Sequence, residues 1–142
     1  MTKEEELQKL MAQIEQYKQQ IESLEQQNSY IQAAISDYTR AKLTLENLDK
    51  SEDQSDVLLP IGGSTYIDAK AKDTSKVLFD IGSGYVIEKK SDDAIKKINN
   101  RIKDLEKNIE KVNSIIQQVQ NEATDVSMKA QKLYTELQQG QN

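Results

Sequence analysis

The chain has no histidine, no cysteine and no tryptophan, and a single proline among its 142 residues. Lacking histidine, it lacks the side chain that most often serves as general base or metal ligand near neutral pH. Lacking cysteine, it can hold no disulfide, thiolate nucleophile or thiolate metal site, which fits a reducing compartment. Any chemistry would fall to carboxylates, lysines and tyrosines. No stretch approaches the roughly 20 consecutive apolar residues that span a bilayer, and Thr2 to Glu6 opens the chain without an apolar signal core, so we expect a cytoplasmic protein without a membrane partner. Basic charge is also scarce. The net charge of −5 divides into −3 over residues 1–48, −3 over 49–92 and +1 over 93–142, leaving no basic face for nucleic acid. Mean hydropathy is −0.77 with 36% hydrophobic residues, a balance that suits exposed helices better than a packed α/β core.

Two heptad runs of nearly equal length fill most of the sequence. The first reads Leu7, Leu10, Ile14, Tyr17, Ile21, Leu24, Asn28, Ile31, Ile35, Tyr38, Lys42 and Leu45 at a and d, with only Asn28 and Lys42 polar. The second reads Ile95, Ile98, Ile102, Leu105, Ile109, Val112, Ile116, Val119, Ala123, Val126, Ala130, Leu133 and Leu137. A sustained seven-residue repeat underwinds a helix into a left-handed supercoil, so each run predicts a coiled-coil helix. Thr2 and Glu5 have capping-box spacing for a first helix reaching about Asp49. Ser91, Asp92 and Asp93 suit the start of a second helix, which should close before Gly140. Each would be roughly 70 Å long at about 1.5 Å per residue.

In an antiparallel pair, a positions face d positions, and residue numbers adding to 140 satisfy this throughout. Leu7 then meets Leu133, Tyr17 meets Ala123, Leu24 meets Ile116, Asn28 meets Val112 and Leu45 meets Ile95, with large set against small at Tyr17. The matched lengths favour this hairpin over a parallel dimer of each helix. A polar a position such as Asn28 commonly fixes register at some cost in stability, and the Lys42 stem can cover apolar surface while its ammonium reaches water.

Between the runs, Ser51 to Asp56 reads as a polar loop. Strand signals follow at Val57–Ile61 and 64–73, joined by Gly62 and Gly63, and at Lys76–Ile81 and Tyr85–Lys90, joined by Gly82, Ser83 and Gly84. Pro60 cannot donate to a ladder and marks an edge or a bend. The apolar set of Leu58, Leu59, Ile61, Ile67, Val77, Leu78, Phe79, Ile81, Val86 and Ile87 exceeds what two tiny hairpins can bury, so these residues are expected to pair with other chains. The segments are therefore 1–49, a coiled-coil helix; 50–90, a double-hairpin oligomerisation segment; and 91–142, a second coiled-coil helix. The fold class is mainly α: a long antiparallel α-helical coiled-coil hairpin with two small β-hairpins at its base.

The glycine pairs do not make a phosphate loop. Gly62 and Gly63 lead into a strand and not a helix, no Gly-Lys-Ser/Thr follows, and Ile87 stands where a dinucleotide fingerprint needs its third glycine. The carboxylates Glu4 to Glu6, Asp92 and Asp93 sit at helix starts, where compensation of the helix dipole explains them. No cofactor, metal or catalytic site is expected. Met1, Met11 and Met128, all the methionines in the chain, gather in this register at one end of the hairpin, with Leu7, Leu10, Leu133, Tyr134 and Leu137. Nearby, Val112 to Ser127 carries only Glu122 and Asp125 as charges and is otherwise apolar or rich in Gln, Asn, Ser and Thr. Methionine suits adaptable apolar contact, because it is unbranched and polarizable.

The stretches VLLPIGGSTYIDAKA from Val57 and VLFDIGSGYVIEK from Val77, set between two heptad helices, resemble α-class prefoldin subunits. That resemblance implies an ATP-independent cochaperone of two α-class and four β-class subunits, the latter with a single hairpin each, whose hairpins join an intersubunit β-barrel. Clients in non-native form would be held at the coiled-coil tips, here Met1, Leu7, Leu10, Met11, Met128, Leu133, Tyr134 and Leu137, and passed to a group II chaperonin. The alternatives are a coiled-coil spacer or tether and a filament-forming prefoldin relative. An enzyme ranks last, since no pocket with perturbed titratable groups is suggested.

Overall fold

A computed structural model describes residues 1–49 and 55–140. The elements run α1 (Lys3–Asp49), β1 (Asp56–Gly62), β2 (Thr65–Lys70), β3 (Lys76–Gly82), β4 (Tyr85–Lys90) and α2 (Ser91–Gly140). The polar loop expected before β1 lies, through residue 54, outside the described residues. Two long helices with two small antiparallel hairpins between them match the expected class. α2 includes Gly140, one residue beyond its expected close.

The chain divides into two compact units. The first comprises residues 1–33 and 106–142, the second residues 34–105. In the first unit, α1 begins with the expected capping box: the Glu5 amide donates to Thr2 Oγ1 at 3.2 Å, and the Thr2 amide donates to Glu5 Oε2 at 3.2 Å. Two orphan backbone donors are thereby satisfied. The helices run antiparallel here, tied by Asn28 Nδ2 donating to Asn113 Oδ1 at 2.7 Å and by a Lys3–Glu136 ion pair at 3.6 Å. Those partners' numbers add to 141 and 139, bracketing the register read from the seams.

Every a and d residue in both helices is at least partly covered, and Val112, Val119, Ala130 and Leu133 are buried. Among the described residues no large side chain is completely enclosed, because a seam only two helices wide leaves its knobs open at the flanks. Asn28 Oδ1 is buried in this seam without a hydrogen-bond partner.

The second unit holds both hairpins and the adjoining ends of the helices. β1 pairs with β2 from Asp56 opposite Lys70 to Gly62 opposite Thr65, and β3 pairs with β4 from Lys76 opposite Lys90 to Gly82 opposite Tyr85. Twenty residues separate each position from its counterpart, and the two hairpins share Val57/Val77, Leu58/Leu78, Ile61/Ile81, Gly62/Gly82, Ile67/Ile87 and Lys70/Lys90. Their closing bonds repeat as well: the Ala71 amide donates to the Ser55 carbonyl at 3.0 Å, and the Ser91 amide to the Ser75 carbonyl at 2.9 Å. The segment is a duplicated hairpin.

The first turn lies one residue later than Gly62 and Gly63 suggest, and the second falls within the expected Gly82, Ser83 and Gly84. The loop residues are Gly63–Ser64 and Ser83–Gly84, with φ of 55° and 57° in the first and 54° and 80° in the second, the two positive values of a type I′ turn. Gly62 and Gly82, at φ 102° and 112°, instead serve the irregularities that follow Pro60 and Asp80. At this shared bend the hairpins use different means. Pro60 fixes its own φ, whereas Asp80 Oδ1 accepts from the Gly82 amide at 2.8 Å. β2 ends at Lys70, short of the expected residue 73, because Asp73 Oδ1 takes the Ser75 amide at 2.9 Å and hydroxyl at 2.6 Å and turns the chain toward β3.

Candidate functional site

Two surfaces stand out, one in each unit. On the hairpins, Val57, Leu59, Ile67 and Ala69 share one face of the first sheet, and Val77, Phe79, Ile87 and Lys89 share the equivalent face of the second. Val57, Ala69, Val77, Phe79 and Lys89 are half-covered, while the remaining apolar positions lie open. Leu58 is 65% exposed and Leu78 is 77% exposed, so these small sheets leave large apolar side chains in water unless another chain covers them. Of the residues expected to mediate oligomerisation, Leu58, Leu59, Ile61, Ile67, Leu78, Ile81, Val86 and Ile87 are exposed, and Val77 and Phe79 are the two partly covered. Tyr66 and Tyr85 add exposed rings that hydrophobic patterning missed, one paired with Pro60 and the other with Gly82.

The second hairpin also touches helix. Lys97 Nζ stands 5.2 Å from the centroid of the Phe79 ring, a cation–π distance. Tyr38 and Arg101 wall a cavity of about 620 Å3 against residues 78–82 of β3. Among the described residues, none of the acidic groups clusters in a way that could hold a metal ion, and no helix is long and apolar enough to cross a membrane.

The other surface lies in the first unit. Met1, Met11, Met128 and Tyr134 are exposed there, whereas Leu7, Leu10 and Leu137 are half-buried in the seam and Leu133 is 9% exposed. The eight candidate tip residues thus divide into four that present surface and four that hold the helices together beneath it. They also divide by side. Leu7, Met11, Ile14, Ala130 and Tyr134, with Ser127 and Gln131, line an apolar groove of about 430 Å3. Leu10 and Leu133 floor a different depression of about 420 Å3, rimmed by Lys3, Glu6, Lys129, Lys132 and Glu136. A third groove, about 740 Å3, joins Ile21 to Met128 through the amide and hydroxyl side chains of α2. Those polar lining residues were legible only as a stretch of low charge; their alignment in one groove requires the helix register.

Two long helices with a double β-hairpin between them in the chain define a class of mainly helical coiled-coil proteins. The family to which this chain belongs is the prefoldin subunits, whose sequence profile matches residues 17–136. It is 36% identical over 136 residues to prefoldin subunit alpha of Methanoculleus marisnigri, covering 96% of this chain and 91% of that one. It is 33% identical over 117 residues to prefoldin subunit alpha of Methanococcoides burtonii, covering 82% and 85%. In fold it is similar to the filamentous prefoldin of Methanocaldococcus jannaschii, with a TM-score of 0.73 at 23% identity over 82% of this chain and 97% of that one. The prefoldin beta subunit of Thermococcus strain KS-1 aligns with a TM-score of 0.59 at 16% identity, over 89% and 90%. Prefoldins are chaperones, and the resemblance to α subunits agrees with the two hairpins.

Proposed function

We propose that this chain is the α-class subunit of a heterohexameric, ATP-independent holdase, two α with four β, that holds non-native proteins and passes them to a group II chaperonin. The hairpins join chains, and the helix ends of the first unit hold the client. The observation that carries this reading is the exposure of Met11, Met128 and Tyr134 around uncharged grooves, next to a seam that is otherwise covered. Apolar burial contributes about 25 cal/mol per Å2, so a single such surface gives modest, reversible affinity. Removing residues 1–10 and 131–142 from the assembled complex should leave assembly intact and weaken protection of an unfolding client, read by light scattering. Undiminished suppression of aggregation by that truncated complex would count against capture at the helix ends.

The similarity to a filamentous prefoldin supports a second reading, in which copies of this chain join into an open-ended assembly. Multi-angle light scattering of the chain alone and with a single-hairpin partner separates the two. A discrete mass of six subunits in a two-to-four ratio supports the hexamer; masses that grow with concentration in the chain alone support the filament.

A further inference from the structure

We infer that the first unit recognises its client partly by backbone, holding an extended, uncharged segment along an amide-lined groove beside the apolar one. The inference rests on the holdase reading and adds the mode of recognition. Ser127 and Gln131 line both the 430 Å3 and the 740 Å3 grooves, so the two form one continuous surface along the flank of the seam. At one end it is apolar, with Leu7, Met11 and Tyr134. At the other, Gln117, Gln120, Asn121, Thr124, Ser127 and Gln131 supply the polar lining without one charged side chain. In a chain that is 30% charged, that composition needs a reason.

The spacing of these residues puts them in one stripe on α2, five at the b and e positions and Asn121 at f. All six are solvent-exposed. Gln117 Nε2 donates to Asn121 Oδ1 at 3.2 Å, a bond that uses neither Gln117 Oε1 nor the Asn121 amide hydrogens. Among the described residues, the side-chain amides of Gln120 and Gln131 make no hydrogen bond. A carboxamide offers a donor and an acceptor together, the same pair a peptide unit offers. The matching occupant is therefore a chain whose own N–H and C=O groups are unpaired, which describes an extended non-native segment and excludes a formed helix or the interior of a sheet. Lengths agree. From Gln117 to Gln131 the stripe rises about 21 Å at ~1.5 Å per residue, the span of about six extended residues at ~3.3 Å each. An apolar side chain of the same segment would enter between Met11 and Tyr134.

The test uses the assembled full-length complex and a fluorescein-labelled octapeptide of alternating leucine and serine, beside the same peptide N-methylated at alternate backbone amides. Fluorescence anisotropy should show the methylated peptide binding at least about fivefold more weakly, the loss expected for a single hydrogen bond. Gln120→Ala with Gln131→Ala should weaken the unmethylated peptide and leave the methylated one unchanged; both positions are exposed, and circular dichroism checks the helices. Equal binding of the two peptides, with Met11→Ser weakening both, overturns backbone recognition and leaves the holdase reading standing. A methylation penalty that persists in full in the double glutamine variant overturns it as well. If neither peptide binds and the truncated complex still suppresses aggregation, capture at the helix ends fails and this inference with it.

Discussion

Asp73 sits in the five-residue link between the hairpins, where the Ser75 hydroxyl and then the Ser75 amide hold its carboxyl below the ordinary carboxylate value. Lys76 nearby acts in the same direction. Both hydrogen bonds favour the charged form, so the turn is stabilised above the unfolded carboxylate pKa of about 3.9 and loses that support as pH falls through the lower folded value. The side chain is fully exposed, which makes this a local effect on the turn. Carboxyl-carbon NMR should find the Asp73 midpoint below that of an unstructured aspartate. Asp73→Asn should abolish the acid-side change in the Ser75 amide shift. A midpoint at the ordinary value would remove the turn's electrostatic account. The same short-range logic explains Thr2 and Glu5, whose reciprocal cap was readable three residues apart because nothing distant is involved.

At the scale of elements, the helix pair carries one deliberate flaw. Asn28 stands at a seam position with its Oδ1 buried and unpartnered, while its Nδ2 binds the exposed Asn113. An unmet buried acceptor costs about 1–3 kcal/mol, and a leucine would replace it with apolar contact. Asn28→Leu should therefore raise the thermal midpoint, read by circular dichroism, because Asn113 can turn to water. It should also loosen register choice, since a polar seam residue penalises pairings shifted by a heptad. A lowered midpoint would mean that the Asn28–Asn113 bond outweighs the orphaned oxygen. Both helices, and in the first unit their approximate register, were legible in the sequence because a heptad seam is a sum of many local choices that agree. The first turn begins one residue later than its glycines suggest and the second loop excludes Gly82, because Gly62 and Gly82 announce positive φ without saying whether they serve the loop or the bend before it. The amide groove was legible only as a stretch of low charge in α2. It exists only when Ile21 of α1 stands beside the Gln117–Gln131 stripe of α2, and no single window of sequence contains that pairing.

Across the whole molecule, the proposed client surface and the apolar hairpin surface belong to different compact units and share no residue. The two can then be altered separately, and avidity links them. A single uncharged groove of modest affinity becomes a strong holder only when several copies act on one client, since tethering can raise apparent affinity by roughly 10²–10⁴ without any new contact. Leu58 and Leu78 occupy equivalent places in the duplicated hairpin, each exposed on the face opposite the half-covered one. Leu58→Glu with Leu78→Glu should leave both hairpins folded, because each side chain already faces solvent, and should place charge where a partner chain would bury it. Light scattering should report loss of the assembly, circular dichroism unchanged helix content, and peptide anisotropy an unaltered single-site affinity. Suppression of aggregation should nevertheless fall at least tenfold at equal subunit concentration. If the dissociated variant protected clients as well as the assembly does, each helix pair would be sufficient alone, and the exposed hairpins would need a purpose other than multiplying weak sites.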